Sequence, residues 1–200
     1  FKMHPFISTM SNMLIIFGLV TYATKGVSFG AIEPGIASMI VPKVNGFPLI
    51  ILWAVAAIVI VWFIWNKTRF GKNLFAIGGN PEAAAVSGVN VTLNLIGIYV
   101  LSGIFYAFGG MLEAGRIGSA TNNLGFMYEL DAIAACVIGG VSFSGGVGTV
   151  AGVVMGVIIF QLLNYGLSYI GVNPYWQYII KGGIIVLAVA MDSMKNARRK

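Results

Sequence analysis

The chain has 200 residues, 58% of them hydrophobic and only 9% charged, with 12 basic and 6 acidic residues and a net charge of +6. Its mean hydropathy is +0.90, whereas a soluble domain carries about 25% charged residues; a water-soluble globule is therefore excluded and the bilayer is the solvent. The cations stand at the edges of apolar runs, so the positive balance orients the chain in a membrane and does not point to nucleic acid.

A crossing helix needs about 20 mostly apolar residues. Residues 6–23 form the first candidate, with Pro5 just ahead of it, where a missing backbone N–H costs little. Nothing before it reads as a cleavable signal, and a chain that starts at Phe1 is expected to be the C-terminal part of a longer one. The segment 24–46 holds Gly26, Gly30, Pro34, Gly35, Pro42 and Gly46, which predict turns and a short surface helix. Residues 47–65 form the second span, free of charge and ending in Trp62 and Trp65. The loop 66–90 follows with Lys67, Arg69 and Lys72, and residues 91–112 form the third span. Residues 130–143 are apolar but short, 149–170 are long enough to cross, and 175–191 are entered by Tyr175, Trp176 and Tyr178.

Charge settles how the short segment is counted. The loop cations and the tail Lys195, Arg198, Arg199 and Lys200 both belong on the cytoplasmic side. An odd number of crossings must then follow 91–112, which makes 130–143 a crossing. The expected protein is all-α and polytopic, one transmembrane domain over 1–200 with six spans, both ends inside, and outer loops at 24–46, 113–129 and 171–174.

The most informative stretch is the cytoplasmic run from Gly71 to Gly88. Asn80 is a good N-cap, Pro81 suits the first helical position, Glu82 complements the positive helix start, and Gly88 is the expected terminator. These predict a helix over 81–87, about 10 Å long and too short to stand without packing or a partner. Its Ala83, Ala84 and Ala85 make a nearly smooth face suited to a groove on another protein.

Glu82-Ala83-Ala84 followed by Gly88 resembles the cytoplasmic loop by which permeases of ATP-binding-cassette importers dock on their ATPase. The wider run 71–91, with Tyr128-Glu-Leu-Asp-Ala-Ile-Ala-Ala135 and Gly139-Gly-Val-Ser-Phe-Ser-Gly-Gly146, resembles the ribose/galactose permease family over essentially the whole chain. That resemblance implies about ten spans, of which these are the last six, with 66–90 as the coupling loop. It implies a non-enzymatic subunit that moves a monosaccharide, galactose or a methyl galactoside foremost, across a bacterial inner membrane by alternating access, with its C-terminus cytoplasmic. ATPase contact would fall on Gly79, Asn80, Pro81, Glu82, Ala83, Ala84, Ser87 and Gly88. The implied partners are a second permease copy, two ATPase domains that carry the ATP-Mg, and a periplasmic sugar-binding protein; no cofactor belongs to this chain.

Other residues carry narrower expectations. Gly148, Gly152 and Gly156 recur every four residues as a smooth stripe, for packing within the chain or for a dimer seam. The glycine-rich run 139–148 lacks a GxxxxGK[ST] phosphate loop and reads as a tight turn beside the coupling helix. Gln161 and Asn164 share a face within a span, either lining a sugar path or bonding a neighbouring helix. Lys181 and Asp131 are intramembrane charges with structural roles, one snorkelling and one favouring a helix start. Glu113, Arg116 and Glu129 stand at the outer face, as solvated loop charges or as the dock for a binding protein. Cys136 is a small buried residue, and with His4 the only histidine no metal-ligand cluster is expected. Two rival readings remain at this level: an ion-coupled secondary transporter, which needs charge deep in the spans, and a non-transporting scaffold, which needs no coupling helix.

Overall fold

The computed structural model describes residues 5–44 and 47–197; His4, Gly46 and the tail cations Arg198, Arg199 and Lys200 lie outside them. The chain divides into two compact units, one formed by Phe1–Ile51 with Ile104–Phe126 and the other by Leu52–Gly103 with Met127–Lys200.

The first unit opens with helix α1, Pro5–Thr24, and then runs through β1 (Phe29–Ala31), α2 (Pro34–Ile40), β2 (Lys43–Val44) and β3 (Phe47–Pro48). The short surface helix expected within 24–46 is α2, with proline in its first turn. The second predicted span begins three residues later than read, because Phe47 and Pro48 pair in a small antiparallel ribbon with Lys43 and Val44. β1 pairs with β4, Ser119–Ala120, so two minimal ribbons qualify an otherwise helical architecture. Thr24 and Asn122 exchange side-chain contacts at 3.2 Å, tying the end of α1 to the segment after β4. Gly115 is buried, and a β-carbon there would meet Ile40 Cγ2 at 2.7 Å, so only glycine admits α2 this close.

The second unit holds α3 (Ile50–Lys67, apart from its first two residues), α4 (Arg69–Gly79), α5 (Pro81–Val86), the first half of α6 (Val91–Ile117), α7 (Tyr128–Ile138), α8 (Val150–Tyr169) and α9 (Pro174–Ala197). The loop 66–90 is therefore mostly helical. α6 extends five residues beyond its predicted end and takes Glu113 and Arg116 into its last turns, so those two are helical residues and not loop charges.

Four described helices are long and apolar enough to cross a membrane: α1, α3, α6 and α8. α9 has 24 residues. α7 has 11, about 16 Å at 1.5 Å per residue against a hydrocarbon core of about 30 Å. The helix within 130–143 is thus about half as long as the hydrocarbon core is thick, shorter than the other predicted spans. It stops because Gly140, at φ +82, reverses the chain, and the N–H groups of Gly140 and Val141 bond the carbonyls of Val137 and Cys136. This paired closure satisfies carbonyls that a helix end leaves open. α8 ends the same way on Gly171, whose N–H and that of Val172 reach Ser168 and Leu167.

The packed centre of this unit lies among α7, α8 and α9, where Ala134, Ala135 and Phe160 are buried with Ile138 and Ile185 against them. The glycine stripe sits here. A β-carbon on Gly152 would fall on the Gly139 carbonyl, and one on Gly156 on the Ala135 carbonyl. Gly152 and Gly156 therefore serve packing within the chain, as small residues do where two helix backbones meet.

Candidate functional site

The segment 66–90 is built by a succession of caps. Thr68 ends α3 and starts α4: its Oγ1 donates to the Ile64 carbonyl at 2.6 Å and accepts from Gly71 N–H at 3.2 Å. Gly71 must be glycine because a β-carbon would fall on the Trp65 carbonyl, so α4 turns away from α3 at closest approach. Lys67 lies over the Trp62 ring at 5.6 Å, a cation–π contact that holds one loop cation at the end of the span.

Asn80 closes α4 and caps α5. Its Oδ1 accepts from Glu82 N–H and Ala83 N–H, both at 3.0 Å, and Pro81 fills the first position, where no N–H is needed. At the other end Ser87 is the C-cap, its hydroxyl donating to the Ala83 carbonyl at 2.8 Å. Gly88 adopts φ +85, and the N–H groups of Gly88 and Val89 bond Ala85 and Ala84. The predicted helix over 81–87 is thus present over 81–86 with both predicted caps. Its presentation differs from expectation: Ala84 is only 4% exposed and turns inward, while Glu82, Ala83, Ala85 and Val86 face outward, Val86 at 91% exposure. Asn80→Ala is expected to remove both N-cap bonds and to cost about 1 kcal/mol. The loss is local, so faster amide exchange at Glu82 and Ala83 with an unchanged global melting point is the expected result.

Two residues that the sequence did not single out support this segment. Asn94, 8% exposed in the first turn of α6, donates to the Asn90 carbonyl at 2.8 Å and stands 3.5 Å from Asn73 Nδ2 of α4. A buried polar group must be paired, and this one pins α4 to α6. Gly78 and Gly79 meet Gly145 and Gly146 of the turn between α7 and α8, backbone against backbone. The glycine-rich run 139–148 is thus a tight turn next to the short helix, as expected.

Asp131 and Lys181, read separately as structural charges, are partners: Lys181 Nζ lies 2.9 Å from Asp131 Oδ2. The ammonium also stands 5.8 Å from the Phe160 ring centroid, so one cation joins α7, α8 and α9. Opposite charges inside two neighbouring apolar segments were the available signal.

The remaining candidates are dispersed. Gln161 is exposed and Asn164 partly so; Gln161 lies on the side of α8 opposite Gly152 and Gly156, whereas Asn164, four residues after the buried Phe160, stands at the edge of the packed face. Glu113 and Arg116 form a two-pronged ion pair at 2.7 and 2.8 Å on α6, in the first unit. Glu129 lies in the first turn of α7, in the second unit, where it suits the helix dipole. Among the described residues no group of histidine, cysteine or carboxylate side chains could hold a metal ion.

A family model described as branched-chain amino acid transport system / permease component matches residues 1–189. The galactose/methyl galactoside import permease protein MglC of Salmonella typhimurium is 65% identical, over 98% of this chain and 60% of its own length. The ribose import permease protein RbsC of Bacillus subtilis is 39% identical over 98% of this chain and 62% of its own. The xylose transport system permease protein XylH of Escherichia coli is 47% identical over 68% of this chain and 35% of its own. The chain spans about 60% of the length of the first of these relatives. No solved structure matches the chain.

Proposed function

Because the chain belongs to the branched-chain amino acid transport system / permease component family, we propose that it is the membrane subunit of an ATP-binding-cassette importer for a monosaccharide, galactose or a methyl galactoside. The observation that carries the substrate class is the 65% identity to a relative named for that cargo, across 98% of the chain; the relatives named for ribose and xylose are also sugar permeases. The family description names amino acids instead, so an amino-acid competitor belongs in the test.

In this reading α5 is the coupling helix. Its rigid caps and outward Glu82, Ala83, Ala85 and Val86 suit a groove on a separate ATPase subunit, with Gly79, Asn80, Pro81, Ala84, Ser87 and Gly88 holding the shape. The permease pairs with a second copy, engages two ATPase domains that bind the ATP-Mg, and receives sugar from a periplasmic binding protein. Closure of the ATPase pair moves α5 and switches the path between outward- and inward-open states. The subunit itself is no enzyme and needs no cofactor. It sits as a multi-pass protein in the inner membrane with 66–90 and the C-terminus cytoplasmic. Gln161 and Asn164 line the sugar path, since a polar amide on a helix within a bilayer needs a hydrogen-bonding partner. Glu113, Arg116 and Glu129 contribute to the dock for the binding protein. Ion coupling is disfavoured because the two intramembrane charges, Asp131 and Lys181, already neutralise each other.

The test reconstitutes the permease carrying this chain with its candidate ATPase and binding protein in proteoliposomes. Labelled galactose uptake is expected to require ATP, to be outcompeted by methyl galactoside and not by leucine, and to disappear in Glu82→Lys/Gly88→Pro. Proline cannot adopt the φ of +85 that Gly88 holds, so the C-cap is lost and α5 with it. Uptake that persists without ATP, or that ignores the altered loop, would overturn the reading.

A further inference from the structure

We infer that the glycine-on-glycine contact joining Gly78 and Gly79 to Gly145 and Gly146 transmits movement of α5 into the α7–α8 pair; the inference rests on the transport reading above. Gly79 immediately precedes Asn80, the cap that starts α5. Gly145 and Gly146 hold φ of +86 and +71 in a turn closed by Ser142 N–H to the Val147 carbonyl at 3.0 Å and Gly145 N–H to the Ser142 carbonyl at 3.1 Å. A β-carbon on Gly145 would stand 2.9 Å from the Gly78 carbonyl oxygen, and one on Gly146 2.7 Å from Gly79 N. A β-carbon on Gly78 would fall on Gly146 N.

The nearest atoms across this contact are backbone on both sides, and that decides its mechanical character. An interface of long side chains absorbs a small displacement by changing rotamers, whereas two backbones in contact have no such slack and move together. The same kind of contact continues inward. The turn leads through Thr149, whose Oγ1 accepts from Gly152 N–H at 3.0 Å, into α8. There Gly152 and Gly156 meet Gly139 and Ala135 of α7, and α7 is joined to α9 by Asp131 and Lys181. A continuous backbone path thus runs from the cap of α5 to the intramembrane ion pair.

The bland alternative is that these glycines only allow tight folding. In that case Gly78→Ala lowers uptake and ATP hydrolysis together and leaves their ratio unchanged. If the contact transmits, the reconstituted Gly78→Ala protein hydrolyses ATP in response to the sugar-loaded binding protein but moves about tenfold less sugar per ATP, about 1.4 kcal/mol of lost coupling. Gly103→Ala, which meets nothing within 4 Å, keeps the ratio of the unsubstituted protein. A second measurement needs no disruptive variant: in a background where Cys136 and any cysteine elsewhere in the permease are replaced by Ala, Val147→Cys places a thiol at a half-exposed position of the turn. Its maleimide labelling rate is expected to change when the ATPase is trapped with nucleotide. An unchanged labelling rate, or an unchanged ratio in Gly78→Ala, overturns the inference while ATP-driven uptake stands. Absence of ATP-driven uptake in the unsubstituted protein overturns the transport reading and this inference with it.

Discussion

Gly156→Ala is expected to destabilise the permease by about 3 kcal/mol, at the upper end of what overpacking costs, and to leave little folded protein after detergent extraction. The added β-carbon would fall on the Ala135 carbonyl, with Gly139 N at 2.7 Å and Gly139 Cα at 2.9 Å. All three obstacles are backbone atoms, so no rotamer change relieves the clash and α7 and α8 must separate. Separation opens the best-packed part of the second unit, since Ala134 and Phe160 are 0% and 2% exposed there. Gly166→Ala, ten residues further along the same helix, meets nothing within 4 Å and is expected to behave as the unsubstituted protein. Thermal unfolding of both variants in detergent decides the matter. If Gly156→Ala melts with the unsubstituted protein, the close approach of α7 and α8 is not a feature of the folded state.

Lys181→Met is expected to cost about 1–3 kcal/mol. Breaking a fully buried ion pair from one side costs about 3–5 kcal/mol, and the discount follows from the 20% and 21% exposure of the two side chains. The substitution leaves the Asp131 carboxylate without its cation and also removes the contact over Phe160. Adding Asp131→Leu should recover most of the loss, because a matched apolar pair in such a place is often as stable as the ions it replaces. The exchanged pair Asp131→Lys/Lys181→Asp should recover less. Asp131 lies in the first turn of α7, where a carboxylate opposes the positive end of the helix and an ammonium adds to it. Melting temperatures of the two singles, the double and the exchange variant test this; a double variant no more stable than Lys181→Met would show that the two charges act independently.

The parts of this protein that were legible beforehand share one property: each depends on residues close together in the chain. The spans announce themselves as apolar runs, and four of the described helices fall where those runs predict them. α5 was readable to within one residue because Asn80, Pro81 and Gly88 act on backbone groups two to four positions away. Thr149 and Ile170 bracket α8 as N-cap and C-cap for the same reason.

The misreadings are equally specific. The segment 130–143 reads as one apolar run, yet Gly140 stops α7 after 11 residues, and an apolar composition does not announce where a helix ends. Ala83, Ala84 and Ala85 look alike in sequence, but only the middle one is buried. Asn94 carries no motif at all; its importance comes from Asn73 standing across from it.

By itself, then, the sequence determined the solvent, the placement of the long apolar helices, and the caps of the short helix α5, because hydropathy and capping are local quantities. Only the tertiary structure decided that Asp131 belongs to Lys181 across 50 residues, that Gly152 and Gly156 face Gly139 and Ala135, and that Gly78 rests on Gly146. Those pairings come from the directions in which helices cross. A glycine or a lone charge is compatible with many such partners until the backbones have been brought together.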